Sequence, residues 1–291
     1  MSPPAVSALG AAEFDFLRAL IRDRSAIVLE PGKEYLVESR ILPLLRSESL
    51  SNPAALVAAL RAAPRGELER KMVEAMTTNE TSWFRDVHPF NALRTELLPA
   101  LIMARAPERK LRLWSTACSS GQEAYSLTIM LAEHFPDLGD WDVQITATDL
   151  SREMVERTRH GRYGQLEINR GLPATHLIKY FERHGTHWQV KPKLRQLVQA
   201  RQMNLIEAWP VLPRFDVILL RNVLIYFDLE TKRAILRHAR QALRPDGVLF
   251  LGSAETTVLV DDGWGRVTTA GAVAYRPLVM RAGAVTMTVG V

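Results

Sequence analysis

Three short stretches of this chain hold residue types that could do chemistry together. The first is Trp114-Ser-Thr-Ala-Cys-Ser-Ser-Gly121, an apolar strand running into a loop of small side chains. Small side chains let a backbone approach a ligand closely, as glycines do. The second is Asp149, placed just after the strand-like run Asp142–Thr148. A carboxylate there can accept hydrogen bonds from both hydroxyls of a ribose. The third is Arg221-Asn222, at the end of the apolar run Phe215–Leu220. Together they point to a nucleoside. The dinucleotide fingerprint G-x-G-x-x-G and the P-loop pattern are both absent. No lysine lies between 116 and 124 to meet a phosphate. Glu123 opens the next helix instead, where its charge repels a pyrophosphate and suits a ligand with a positive end. S-adenosylmethionine has a ribose, an adenine, an ammonium and a sulfonium, and no phosphate. On residue chemistry it stands ahead of NAD.

The elements that must position these residues follow from hydrophobic period. Residues 12–75 read as helices. Glu13–Arg24 places Phe14, Leu17, Leu20 and Ile21 on one face, and Lys33–Leu45 makes a second helix with Pro43 as a kink. Asn52 and Pro53 suit a helix start, and Glu67–Met76 follows. After Thr77 strands and helices alternate: Leu111–Ser115, Glu123–Phe135, Asp142–Thr148, Ser151–Arg159, Phe215–Leu220, Leu229–Leu243 and Val248–Gly252. That alternation is the mark of a parallel sheet wound on both faces. Pro245-Asp246-Gly247 reads as a turn, and Arg266–Arg276 as a closing hairpin around Gly271. Residues 160–214 break the alternation and read as an insertion with weak strands at Trp188–Val190 and Gln196–Gln202.

Composition bounds the class. The chain has 291 residues, 47% of them hydrophobic and 24% charged, which excludes a disordered tail, a collagen and a rod-like coiled coil. The one cysteine, Cys118, excludes an intramolecular disulfide framework and a cysteine-rich zinc site. The histidines form no H-x-x-x-H pair or His/Cys cluster, so no metal is expected. No apolar run approaches the roughly 20 residues that span a bilayer, and Met1–Gly10 lacks the basic and apolar parts of a leader. A cytoplasmic protein without membrane insertion is the expectation. The net charge is +5, and residues 151–214 hold 12 basic and 5 acidic side chains, a local +7. That stretch is either a solvated face or a docking surface for something acidic. It lacks the interleaved aromatics of a nucleic-acid groove, so no nucleic acid is expected.

Five motifs, in order, resemble the CheR family of chemotaxis-receptor methyltransferases. They are Thr77-Thr-Asn-Glu-Thr-Ser-Trp-Phe-Arg85, Ala117-Cys-Ser-Ser-Gly-Gln-Glu-Ala-Tyr-Ser126, Ala147-Thr-Asp-Leu-Ser151, Leu220-Arg-Asn-Val-Leu-Ile-Tyr-Phe-Asp228 and Leu243-Arg-Pro-Asp-Gly-Val-Leu-Phe-Leu-Gly-Ser253. The resemblance runs from about residue 12 to 277. It implies a small all-α domain (1–76), a linker that contributes to the cofactor site (77–90), and a Rossmann-like class I methyltransferase α/β domain (91–291). A small β-subdomain is inserted at about 160–204. Carried over position by position, it implies that S-adenosylmethionine meets Asn79, Thr81, Arg85, Glu123, Asp149, Asn204, Leu205, Arg221 and Asn222. Arg85 and Tyr226 lie at the reacting centre by the same resemblance. Gln122 stands where an acidic residue is usual, Ala124 where proline is common, and Asp246 where glycine is usual.

The implied reaction is methyl transfer to glutamate side chains of a chemoreceptor's cytoplasmic helical bundle, leaving S-adenosylhomocysteine. Two other classes share the pocket residues: a methyltransferase of RNA or a small molecule, and a non-catalytic module that senses the cofactor. Some members of the family grip a receptor's C-terminal pentapeptide and carry extra glycine-containing residues in the β-subdomain. Here Phe181-Glu-Arg-His-Gly-Thr-His-Trp188 is short and has one glycine, which implies no dependence on that peptide. Lys191, Lys193 and Arg195 are then expected to serve in docking through long-range attraction.

Overall fold

The computed structural model describes residues 9–278. The start of the Met1–Gly10 stretch therefore lies outside the described residues, up to Ala8. The chain opens with α1 (Ala11–Ser25), α2 (Glu34–Ser47), α3 (Pro53–Ala62) and α4 (Glu67–Ala75). Asn52 caps α3 by accepting from the Ala55 amide at 2.8 Å, with Pro53 in the first turn. Pro43 sits inside α2, which continues to Ser47. The four helices close over Leu17, Ile21, Val37, Ile41, Leu45, Leu56, Leu60 and Met72.

A helical run follows where the sequence reading assigned no element. It consists of α5 (His88–Ala92), a π turn over Leu93–Leu97 and α6 (Leu98–Arg105). Pro99, which has no N–H to offer the preceding turn, sits at the junction. Next come β1 (Lys110–Thr116), α7 (Gln122–His134), β2 (Asp142–Asp149) and α8 (Arg152–His160). A small segment holds β3 (Arg162–Gly164), α9 (Gln165–Ile168), α10 (Ala174–Tyr180), β4 (Phe181–His184), β5 (His187–Val190) and α11 (Pro192–Arg195). The chain then returns through β6 (Val198–Gln202), β7 (Phe215–Leu220), α12 (Leu229–Ala242), β8 (Leu243–Leu251), β9 (Trp264–Thr269) and β10 (Ala272–Pro277). No helix among the described residues is long and apolar enough to cross a membrane.

The main sheet has seven strands in the order β6-β2-β1-β7-β8-β10-β9. β6, β2, β1, β7 and β8 are parallel, and the β9–β10 hairpin closes the edge antiparallel. From β1 the chain winds outward through β2 to β6, then returns to β7 on the other side. The order reverses between β1 and β7, and a ligand crevice opens at such a switch point beyond the strand ends. Leu113, Val217, Leu219, Val248 and Phe250 face one core. Trp114, Ile218, Leu220, Leu249 and Leu251 face the other.

Two features differ from the sequence reading. The separate sheet is β3-β5-β4 alone. Val198–Gln202, read as part of the insertion, is the edge strand β6 of the main sheet, in register with Ile145–Asp149 of β2. As an edge strand it is only half-buried, so it lacks the continuous apolar run that marks buried parallel strands. Pro245-Asp246-Gly247 is not a turn between a helix and a strand. It lies within β8, where the pairing with β7 jumps from Phe215↔Leu243 to Val217↔Val248 as a bulge.

That bulge carries an ion-pair network. Arg105 donates through Nε to Asp216 Oδ1 at 2.6 Å and through both Nη atoms to Asp246 at 2.9 and 2.5 Å. Asp216 is fully buried, and its second oxygen accepts from the Arg112 amide at 2.8 Å. Arg244 Nε stands 3.5 Å from Asp216 Oδ1. Asp246 thus secures α6 to the end of the sheet. Removing one partner of a buried pair strands the other charge and costs roughly 3–5 kcal/mol, whereas half-exposed pairs are worth about 0–1 kcal/mol. Arg105→Ala should lower the unfolding free energy in urea by about 3 kcal/mol, and Asp246→Asn by under about 1 kcal/mol. Equal losses would assign the stability to the exposed arm.

Candidate active site

All ten residues singled out for cofactor or chemistry line one pocket: Asn79, Thr81, Arg85, Glu123, Asp149, Asn204, Leu205, Arg221, Asn222 and Tyr226. It lies at the ends of β1, β2 and β7, where the strand order reverses.

The loop after β1 forms one wall. Ala117 and Ser119 have φ near 51°, and Gly121 has φ 94°. This left-handed winding suits small side chains and glycine. An added Cβ at Gly121 would stand 2.8 Å from Thr158 Oγ1, so the loop also needs glycine for its approach to α8.

Asp149 ties that loop to the start of α8. Its Oδ2 accepts from the Ser119 amide at 2.8 Å, and its Oδ1 accepts from the Ser151 amide at 2.9 Å. The side chain is therefore both a local cap and a pocket wall. Burial pushes its pKa up to about 6, against the pull of the Ser151 and Ser119 amides. A raised folded value means that its stabilising contribution is full below its ordinary 3.8 and is lost as pH rises through about 6. At neutral pH the buried carboxylate is an ionised acceptor facing the pocket.

Arg221 and Glu123 are joined. The Arg221 side chain is 1% exposed and donates through Nη1 to Glu123 Oε2 at 2.8 Å. Its Nη2 donates to Asp86 Oδ2 and to the Arg85 carbonyl, both at 2.8 Å. Ser115 Oγ donates to the other Glu123 oxygen at 2.7 Å. The sequence reading left Glu123 free to face a cation; the fold neutralises half of it with Arg221. The guanidinium of Arg221 is itself engaged on all these partners, which makes it a strut of the pocket wall.

Asn79, Thr81 and Arg85 come from the segment between the helical unit and the sheet. Trp83 anchors that segment. Its ring packs edge-on against Tyr163 at 4.9 Å and Phe181 at 5.4 Å. Its amide donates to the Arg170 carbonyl at 2.9 Å and its indole N–H to the Glu167 carbonyl at 3.0 Å. Gly171, at φ 100°, permits this contact, since a Cβ there would stand 2.5 Å from the Trp83 oxygen. Ser119 Oγ donates to the Asn79 carbonyl at 2.8 Å. The Arg85 guanidinium donates to the Glu80 carbonyl at 3.0 Å and has no carboxylate partner among the described residues.

The helical unit closes the pocket from above. Ser25, Ile27 and Met76 line it, and nothing in the local sequence distinguishes them from core residues of a helix bundle. Asn204 Nδ2 donates to the Arg24 carbonyl at 2.8 Å, and the Val28 amide donates to the Tyr226 carbonyl at 3.0 Å. Arg40 of α2 donates to the carbonyls of Met76 and Thr77 and to Thr78 Oγ1 at 2.8 Å.

The three cations expected to dock a partner do not form a free patch. Lys191 Nζ donates to the Lys179 carbonyl at 2.8 Å, and Arg195 Nη1 to the His160 carbonyl at 3.3 Å. Both are half-buried; of the three only Lys193 is exposed. Both carbonyls lie in the last turns of helices, Lys179 in α10 and His160 in α8, where no intrahelical partner is available. Cys118 is buried and its thiol pKa is raised by burial, so it is no ready nucleophile.

Comparison with known proteins agrees with this architecture. Residues 12–77 match the all-alpha domain of CheR methyltransferase, and residues 79–270 match its SAM-binding domain. A chemotaxis protein methyltransferase 1 of Pseudomonas aeruginosa is 41% identical over 91% of this chain and 97% of its own length. The chemotaxis protein methyltransferase Cher2 of Pseudomonas putida is 41% identical over 84% of this chain and 90% of its own. A chemotaxis protein methyltransferase of Vibrio parahaemolyticus is 40% identical over 85% and 90%. With the helical unit, the wound sheet and the pocket between them all in place, the chain belongs to the CheR family of S-adenosylmethionine-dependent methyltransferases.

Proposed function

We propose that this enzyme transfers a methyl group from S-adenosylmethionine to the γ-carboxylate of glutamates in the cytoplasmic helical bundle of a chemoreceptor. The observation that carries the reading is the pocket itself: two carboxylates, Glu123 and Asp149, share it with Arg85, a cation without a carboxylate partner among the described residues. The carboxylates fit a ribose and a positively charged amino-acid end. The free guanidinium fits an incoming carboxylate.

A glutamate has an ordinary pKa of about 4.3 and is an anion at neutral pH. The nucleophile therefore needs no general base, and the pocket needs neither histidine nor thiolate. When bound, S-adenosylmethionine supplies a methyl group on a sulfonium, which is intrinsically a good leaving group. What the protein must add is alignment and exclusion of water. Asp149 and Glu123 hold the ligand's polar ends. Arg85 steers the glutamate carboxylate, and Tyr226 fixes the reacting geometry. An over-tight pair between Arg85 and the carboxylate would stabilise the ground state, so its orientation matters more than its charge.

Internal pairing of the basic stretch supports a protein substrate over a nucleic acid. Arg157 pairs with Glu167, Arg159 with Glu156, Arg170 with Glu80, and Lys179 with Glu133. Glu80 and Glu133 come from outside the stretch and offset two of its seven excess charges, so the basic residues are partly engaged by the protein's own carboxylates. The β4–β5 connection is two residues, Gly185-Thr186, which supports independence from a receptor C-terminal peptide.

Two measurements test the reading. With labelled S-adenosylmethionine, the enzyme should label a receptor cytoplasmic fragment in a form that mild alkali releases as methanol, and should leave total RNA unlabelled. Arg85→Ala and Tyr226→Phe should lower that turnover on the order of a hundredfold, the scale on which slight misplacement costs rate. Label in RNA, or full turnover in Tyr226→Phe, would overturn the substrate or the role of the hydroxyl respectively.

The second measurement is a pH profile of product affinity. If Asp149 must be ionised to accept from the ribose, S-adenosylhomocysteine should bind about tenfold more weakly at pH 5 than at pH 7.5, one unit below a pKa of about 6 against well above it. Calorimetry on Asp149→Asn should show weaker binding and a flat profile. A flat wild-type profile would place the ribose elsewhere.

A further inference from the structure

The loop from Arg221 to Asp228 carries Asn222 and Tyr226 and has only one 3-10 turn of its own, Leu224–Tyr226. Its leading amides need acceptors. They find them on a single side chain from the turn after β8, that of Glu255. Its Oε2 accepts from the Asn222 amide at 2.8 Å and the Gly252 amide at 2.6 Å. Its Oε1 accepts from the Val223 amide at 2.9 Å and the Ile225 amide at 3.3 Å. Hydrogen bonds to an ionised acceptor are roughly twice as strong as neutral ones, and a carboxylate has lone pairs for all four.

The arrangement is built. Asn222 has φ 59°, a left-handed conformation that needs such support. Gly252 makes room for it: an added Cβ would stand 2.6 Å from Asn222 Nδ2 and 2.7 Å from Glu255 Oε2. From Val223 the constraint passes directly into the 3-10 turn. The Tyr226 amide donates to the Val223 carbonyl at 3.2 Å, and the Phe227 amide to that of Leu224 at 3.1 Å.

We propose that Glu255 is a positioning residue for methyl transfer. Through the amides of Asn222, Val223 and Ile225 it sets where Tyr226 stands in the pocket. The proposal rests on the reading of Tyr226 as a group at the reacting centre. Glu255 itself does not line that pocket, so its effect on rate passes through the loop.

A double-mutant cycle in the full chain tests this, because a purely structural role would not depend on the Tyr226 hydroxyl. Receptor-methylation kcat and S-adenosylhomocysteine affinity are measured for Glu255→Gln, Tyr226→Phe and the double variant, all well below their melting temperatures. Glu255→Gln should lower kcat about ten- to a hundredfold, the scale of slight misplacement. Added to Tyr226→Phe, it should cost less than about threefold more, because the group it places is already lost. Gly252→Ala pushes on the same carboxylate from the other side and should show the same loss and the same coupling. Where Glu255→Gln does not fold, Glu255→Asp, which keeps the charge but falls one methylene short, takes its place with the same expectation. Losses that multiply in the double variant would overturn the proposal. So would normal turnover in Glu255→Gln beside a slow Tyr226→Phe. Normal turnover in Tyr226→Phe would sink the underlying reading, and the proposal with it.

Discussion

A buried guanidinium joins the parts of this enzyme that would otherwise have no reason to meet. Arg221 leaves the end of β7 and reaches Glu123 at the start of α7, then Asp86 and the Arg85 carbonyl in the segment after the helical unit. Taking a charge out of water costs several kcal/mol unless its partners are well placed. Here two carboxylates and a carbonyl provide that placement. The same bonds fix Arg85 beside the pocket while leaving its side chain without a carboxylate of its own. One desolvated cation thus holds another ready for a ligand.

The helical unit is part of the site as well as its neighbour. Contacts from its helices and from the connection between α1 and α2 reach Asn204, Tyr226, Thr77 and Thr78, and Ser25 and Ile27 line the pocket. A pocket that must exclude water gains from a wall that closes over the strand ends. A parallel sheet alone leaves that side open. Trp83 then fixes the connection by packing into the small three-stranded sheet, so that sheet helps to place Arg85 at a distance.

Charge is largely balanced within the fold. Asp216 and Arg105 tie α6 to β7, and the basic residues of 151–214 mostly meet nearby acids or carbonyls. Asp246 belongs to the same scheme, since its carboxylate meets Arg105 across the bulge in β8. A count of charges along the chain could suggest a basic docking face. Only the fold shows that Lys191 and Arg195 reach backbone carbonyls of Lys179 and His160.

Much of the site was legible in the sequence because its parts are local. A small-residue loop after a strand, a carboxylate at a strand end and a polar pair at another strand end each follow from a few neighbouring residues. Strand and helix periods then bring those ends to one edge of a parallel sheet. What the tertiary structure decided lies between residues far apart in the chain. Val198–Gln202 joins the main sheet because β2 offers it an edge, and no apolar run announces that pairing. Glu123 is half neutralised because β7 ends beside α7. Glu255 matters because the turn after β8 comes back against the loop of Tyr226, and a lone glutamate in a turn carries no mark of the four amides it will meet. Local order is set by neighbouring residues, and hydrogen-bond partners by which strands lie side by side.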